Sequence, residues 1–122
     1  MESNEKILII STIGEENPEK ATLPFVLANA AQASDVEVVV ILQANAVTLA
    51  KHGEAEKINA QGFMPLKDLI DNFVSSGGNL MICSPCLKTR NISASDLING
   101  STIIAAGTVV AEVLSAKSVV TY

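Results

Sequence analysis

The chain has 122 residues, the size of one ordinary domain, and carries a net charge of −5 with only four aromatic side chains. With no basic stripe to neutralise phosphates and few rings for base stacking, nucleic-acid binding is set aside. Hydrophobic residues make up 48% and charged residues 17% of the chain, against an ordinary charged share of about 25%. So few charges predict that some apolar surface is covered in a homo-oligomer.

Met1-Glu2-Ser3-Asn4-Glu5-Lys6 lacks the basic-then-apolar order of a secretory leader, and apolar runs such as residues 38–42 are too short to span a bilayer. The expected location is the cytoplasm. A single domain over residues 1–122 is expected, with no repeat or low-complexity segment.

Residues 6–11 read as a buried strand, an apolar β-branched run between polar ends. Asn17 can cap a helix with Pro18 at its first position, and Leu23, Val26, Leu27, Ala30 and Ala31 recur at helical spacing. Pro24 lacks the N–H that the preceding turn needs, so a kink or a separate turn is expected there. Residues 36–42 are a second buried strand and 45–50 a short helix, followed by an irregular polar loop over 51–62. Pro65 opens a helix with Leu66, Leu69, Ile70, Phe73 and Val74 on one face, stopped at Gly77-Gly78. Residues 79–82 form a third strand that runs into Cys83. Ser93 to Asp96 resembles a capping box for a short helix ending near Gly100. Residues 101–106 are a fourth strand. A helix over 108–115 turns Val109, Val110, Val113 and Leu114 inward, and a fifth strand closes the chain at 117–122. Continuously apolar strands alternating with helices predict an α/β fold, a mostly parallel sheet covered on both faces.

The only two cysteines, Cys83 and Cys86, are three residues apart at the carboxyl end of the third strand, where ligands gather in open α/β sheets. Lys88 and Arg90 follow them, and no acidic residue lies between Asp71 and Asp96. Positive charge and a helical turn starting near Pro85 both favour a thiolate, so a lowered pKa is expected for one cysteine. A thiolate attacks persulfide or disulfide sulfur, and a thiol three residues on can act as a resolving group. Cys-x-x-Cys spacing also suits a dithiol oxidoreductase or half of a zinc site. With His52 the one histidine, a full zinc site needs a second pair from another subunit, so neither a metal nor a cofactor is expected. A thioredoxin-like protein carries its pair after an early strand, unlike this chain.

The cysteine loop, Ile82-Cys83-Ser84-Pro85-Cys86-Leu87-Lys88-Thr89-Arg90-Asn91-Ile92, resembles that of the DsrE/DsrF-like family of small sulfur-relay proteins. Residues 21–31, 46–50 and 62–66 support the resemblance, which spans nearly the whole domain. It implies a three-layer α/β/α sandwich with a five-stranded parallel sheet, assembled into homo-oligomers such as trimers or hexamers, or with sibling subunits. It also implies that Cys83 accepts sulfane sulfur as a persulfide and passes it to a partner thiol, a sulfurtransferase or sulfur-carrier role, with Cys86 in a less defined part. Donor and acceptor would be proteins or low-molecular-weight thiols. A non-catalytic homo-oligomeric module binding a small ligand, or a dithiol oxidoreductase, are the alternative readings.

Lys88 and Arg90 are candidates for binding an anion or tuning the thiolate. Asn29, set among apolar residues of the first helix, is a candidate for a cross-bond to the cysteine loop. His52 could serve as a base. Glu15 and Glu16 are expected to face solvent.

Overall fold

A computed structural model describes residues 5–122. The reading of the first residues as free of a leader falls largely on residues 1–4, outside the described part. The elements in chain order are β1 (Lys6–Ser11), α1 (Pro18–Ala33), β2 (Glu37–Leu42), α2 (Leu66–Ser75), β3 (Asn79–Cys83), α3 (Ser84–Thr89), β4 (Ser101–Ile104), α4 (Ala106–Ser115) and β5 (Ser118–Thr121). Three single-turn or short 3-10 helices lie over Ala44–Ala50, Ala55–Lys57 and Ala94–Asp96.

All five strands are parallel, in the order β4-β3-β2-β1-β5. From β1 to β4 the chain steps toward one edge, then α4 carries it back so that β5 pairs on the far side of β1. The pleat sorts the strand residues onto two faces. Ile9, Val40 and Leu80 stand side by side on one face, and with Val38, Leu42 and Ile82 they pack under α1 and α2. Phe25 and Phe73 join these helices edge to face, their ring centres 5.9 Å apart. Leu8, Val39, Ile41 and Ile104 form a smaller core on the other face, met by Val109 and Ala116 around α4. The result is a three-layer α/β/α sandwich whose second layer of helix is a single element.

Asn17 caps α1 as its sequence predicts, its side chain accepting from the Lys20 N–H at 3.1 Å. Pro24 does not divide the helix: α1 runs through it for 16 residues, with Pro24 buried. The packing of Phe25 and its neighbours outweighs one lost backbone bond to the exposed Lys20. Gly77, with φ +91°, takes the left-handed turn that ends α2. The Ser93 and Asp96 capping box forms, but it closes only a 3-10 turn rather than a helix reaching Gly100.

The orientation predicted for the fourth long helix is only partly right. Val109 faces the sheet, yet Val110 is 57% exposed, Val113 39% and Leu114 81%. The inward stripe is Val109, Glu112 and Ala116, and half-buried Glu112 pairs with Lys6 at 2.6 Å. Val110 and Leu114, four residues apart, make a second apolar stripe on the outside. Among the described residues no helix is long and apolar enough to cross a membrane.

Candidate functional site

β3 places Cys83 at the carboxyl edge of the sheet, in register with Ile104 of β4. Its neighbour on the other side is the chain leaving β2 at Gln43. Cys83 is also the N-cap residue of α3, and Pro85 fits the first turn of that helix because its missing N–H would be unpaired there. Cys86 then falls at the third helical position. N-cap and third position are the pair that meet in a capping box, which explains why the two sulfurs converge. The Cys86 thiol donates to Cys83 Sγ at 2.8 Å, and both thiols are free and half-buried.

The two sulfurs have different surroundings. Cys86 Sγ accepts the Ala44 N–H at 3.2 Å. Ala44 holds φ at +50°, a left-handed conformation that costs a non-glycine residue roughly 1–2 kcal/mol. A local polar web supports it. Asn45 donates to Glu16 Oε1 at 2.6 Å, and the Gly14 N–H donates to the same oxygen at 3.0 Å. Arg90 reaches the Asn45 side-chain oxygen at 3.4 Å and the Cys86 carbonyl at 3.2 Å.

Cys83 instead lines a cavity of about 260 Å³ with Gln43, Pro85, Ile104, Ala105, Ala106, Val109 and Val110. Burial pushes the Cys83 thiol above its ordinary value, and the Cys86 thiol adds to the rise. The Cys86 amide and the Arg90 guanidinium pull the other way without cancelling it. The lowered thiol expected in this loop is therefore not Cys83. Arg90 spends its hydrogen bonds on oxygens rather than on this sulfur.

Of the other predicted site residues, Arg90 borders the thiols and Lys88 lies exposed on α3. Asn29 does not serve the cysteine loop. Its amide donates to the Phe25 carbonyl at 2.7 Å and the Leu69 carbonyl at 3.0 Å, tying α1 to α2. His52 is exposed and lines a different cavity of about 300 Å³, which holds the Lys67–Asp71 ion pair and no sulfur. Glu16, expected simply to face solvent, is exposed but bonded. Burial raises its carboxyl, yet the Asn45 side chain and the backbone amides outweigh this and hold it below the ordinary value. Ala44, Asn45 and Gln43 were not singled out by their residue types. The Ala44 donor is backbone, and no side-chain pattern marks it. Among the described residues no three His, Cys, Asp or Glu side chains gather as metal ligands.

The sequence model of the DsrE/DsrF-like family matches residues 5–122. The uncharacterised protein MJ0760 of Methanocaldococcus jannaschii is 29% identical over 104 residues, 85% of this chain and 38% of that protein, so the chain spans well under half of that relative. MJ0989 of the same organism is 27% identical over 117 residues, covering 96% of this chain and 99% of its own length. The crystal structure of the ychN protein from E. coli superposes with a TM-score of 0.83 at 22% identity, over 97% of this chain and 99% of the other.

Proposed function

Since the chain belongs to the DsrE/DsrF-like family, we propose that it is a sulfur-relay protein carrying sulfane sulfur as a persulfide on Cys83. The observation that supports Cys83 as carrier is its position: it lines the cavity at the sheet's carboxyl edge, while Cys86 Sγ is taken up by the Ala44 amide.

In the loading step the Cys83 thiolate attacks the outer sulfur of a donor persulfide, R–S–SH. The donor S–S bond breaks, R–S⁻ leaves with its electron pair, and Cys83–S–SH forms. The proton lost by Cys83 ends on the departing thiolate, so the exchange is neutral and consumes no oxidant. Delivery repeats the step, with an acceptor thiolate attacking the outer sulfur of Cys83–S–SH and regenerating the Cys83 thiolate. Cys86 is the resolving thiol. If its thiolate attacks the inner sulfur, a Cys83–Cys86 disulfide forms and HS⁻ leaves, after which a thiol reductant must reset the pair. The reading needs both thiols reduced at rest, a condition met in the cytoplasm. Arg90 contributes by holding the Cys86 carbonyl and Asn45 in place, and exposed Lys88 by attracting an anionic partner surface.

Mass spectrometry after incubation with a persulfide donor tests this. The expected result is one added sulfur retained on Cys86→Ser, one added sulfur or the Cys83–Cys86 disulfide that follows from it on the wild type, and neither on Cys83→Ser. Equal loading of Cys83→Ser and wild type would overturn the assignment.

The 2.8 Å approach of the sulfurs also favours a second reading, a dithiol oxidoreductase. That reading requires the oxidised protein to exchange its disulfide with dithiols at a useful rate in the absence of any sulfane sulfur.

The outer stripe of α4 supports a homo-oligomer. A helix that is apolar on both sides is normally covered on both sides, and a second copy of this chain is the proposed cover for Leu114.

A further inference from the structure

We propose that the cavity beside Cys83 is the donor subsite, and that it selects a low-molecular-weight persulfide whose organic group is small, apolar and uncharged. This rests on the sulfur-carrier reading above and names the substrate class for the same thiol.

The cavity has a polar end and an apolar body. Gln43 and Cys83 sit at the end of β2 and β3, whereas Ile104, Ala106, Val109 and Val110 supply the rest of the wall. Among the described residues no side chain lining it carries a formal charge. Nearby charges turn elsewhere: Arg90 to Asn45 and the Cys86 carbonyl, Glu16 to Asn45 and Gly14. A carboxylate or sulfonate on the donor would enter this space with no partner, and burying an unpaired charge is strongly unfavourable. A small alkyl group instead gains from leaving water. A volume of about 260 Å³ lies just under the ~300–1,000 Å³ usual for pockets that take drug-sized ligands. The occupant is therefore a compact molecule, not a peptide segment.

The loading chemistry agrees with such a site. R–S–SH and Cys83–SH exchange to R–SH and Cys83–S–SH, neutral on both sides once the proton has moved, so the apolar wall holds no net charge before or after the exchange. Gln43 supplies an uncharged polar side chain able to bond a sulfur or heteroatom at the reacting end.

The test uses donors with the same –S–SH head and different bodies: butyl persulfide, 2-carboxyethyl persulfide and 2-sulfoethyl persulfide, with inorganic polysulfide as a donor lacking any body. Loading rates of Cys83 are read by mass spectrometry on the full chain. Butyl persulfide is expected to load at least about tenfold faster than either charged analogue, as one unpaired buried charge demands. Ala106→Phe, at an exposed position, fills the cavity and should level these rates. Gln43→Lys supplies a cation at the polar end and should shift the preference toward the carboxylate. Equal rates for all bodies in the wild type, with both variants silent, would overturn the subsite; the cavity would then be void or filled by a neighbouring chain, while sulfur carriage on Cys83 would stand. No loading by any donor, inorganic polysulfide included, would overturn the carrier reading and the subsite together.

Discussion

At the residue scale, the proposed chemistry turns on one thiol whose protonated form is favoured. Burial and the Cys86 thiol both raise Cys83. The reactive thiolate is therefore scarce at neutral pH, and its share grows as pH climbs past the ordinary cysteine value of about 8.5. Loading of Cys83 is expected to keep accelerating beyond the pH at which a free cysteine levels off. A rate that saturates at or below that pH would show that the folded protein lowers this thiol. The sign for stability follows from the same shift. Folded Cys83 holds its proton more tightly than the unfolded chain does. Its contribution is fully present below the unfolded pKa and is lost as pH rises toward the folded one. Wild type should therefore lose stability relative to Cys83→Ser as pH rises above the ordinary cysteine value of about 8.5, read by urea unfolding at each pH.

At the element scale, the site is a meeting of two loops with the junction of β3 and α3 rather than the product of one motif. The loop after β1 brings Gly14 and Glu16, the turn after β2 brings Ala44 and Asn45, and the β3–α3 junction brings the thiols. Gly14 is the tightest point. A Cβ there would lie 2.6 Å from the Asn45 carbonyl oxygen and 2.9 Å from its side-chain nitrogen. The carbonyl is backbone and cannot swing aside, so Gly14→Ala must displace the turn that carries the Ala44 amide to Cys86. A loss of about 1–3 kcal/mol is expected, together with a changed alkylation rate of Cys86 in a Cys83→Ser background. Unchanged stability and alkylation would mean that the two loops are not coupled.

What the sequence revealed follows from where each signal resides. The strands showed themselves as apolar β-branched runs, and the Asn17 cap and the cysteine spacing showed themselves as side-chain chemistry at fixed offsets. The Ala44 amide left no such mark, because a backbone donor reads the same under any residue type. Asn29 misled for a related reason: an amide on an apolar helix announces a hydrogen bond, but not whether its partner is a loop or the neighbouring helix.

At the scale of the whole molecule, the two faces of the sheet are unequal. One is closed by α1 and α2, whose packing includes Phe25 and Phe73. The other has α4 alone, and Val119 on that face of β5 is 41% exposed, continuous in character with the outer stripe of α4. Valine and leucine on every side of a helix gave no single inward face to read, which is why the predicted orientation failed. The same fact makes assembly a prediction with a clear arithmetic. Leu114 is 81% exposed, so Leu114→Asp removes almost no contact within the chain, and surface changes of that kind usually alter stability by less than about 0.5 kcal/mol. Across an interface the same change buries a carboxylate against apolar neighbours, which several such sites in a symmetric assembly cannot tolerate. Light scattering is expected to show an oligomer for the wild type and a smaller species for Leu114→Asp, with circular dichroism unchanged. A monomeric wild type, or a variant that assembles as the wild type does, would remove α4 from the interface and leave its outer stripe as bare surface.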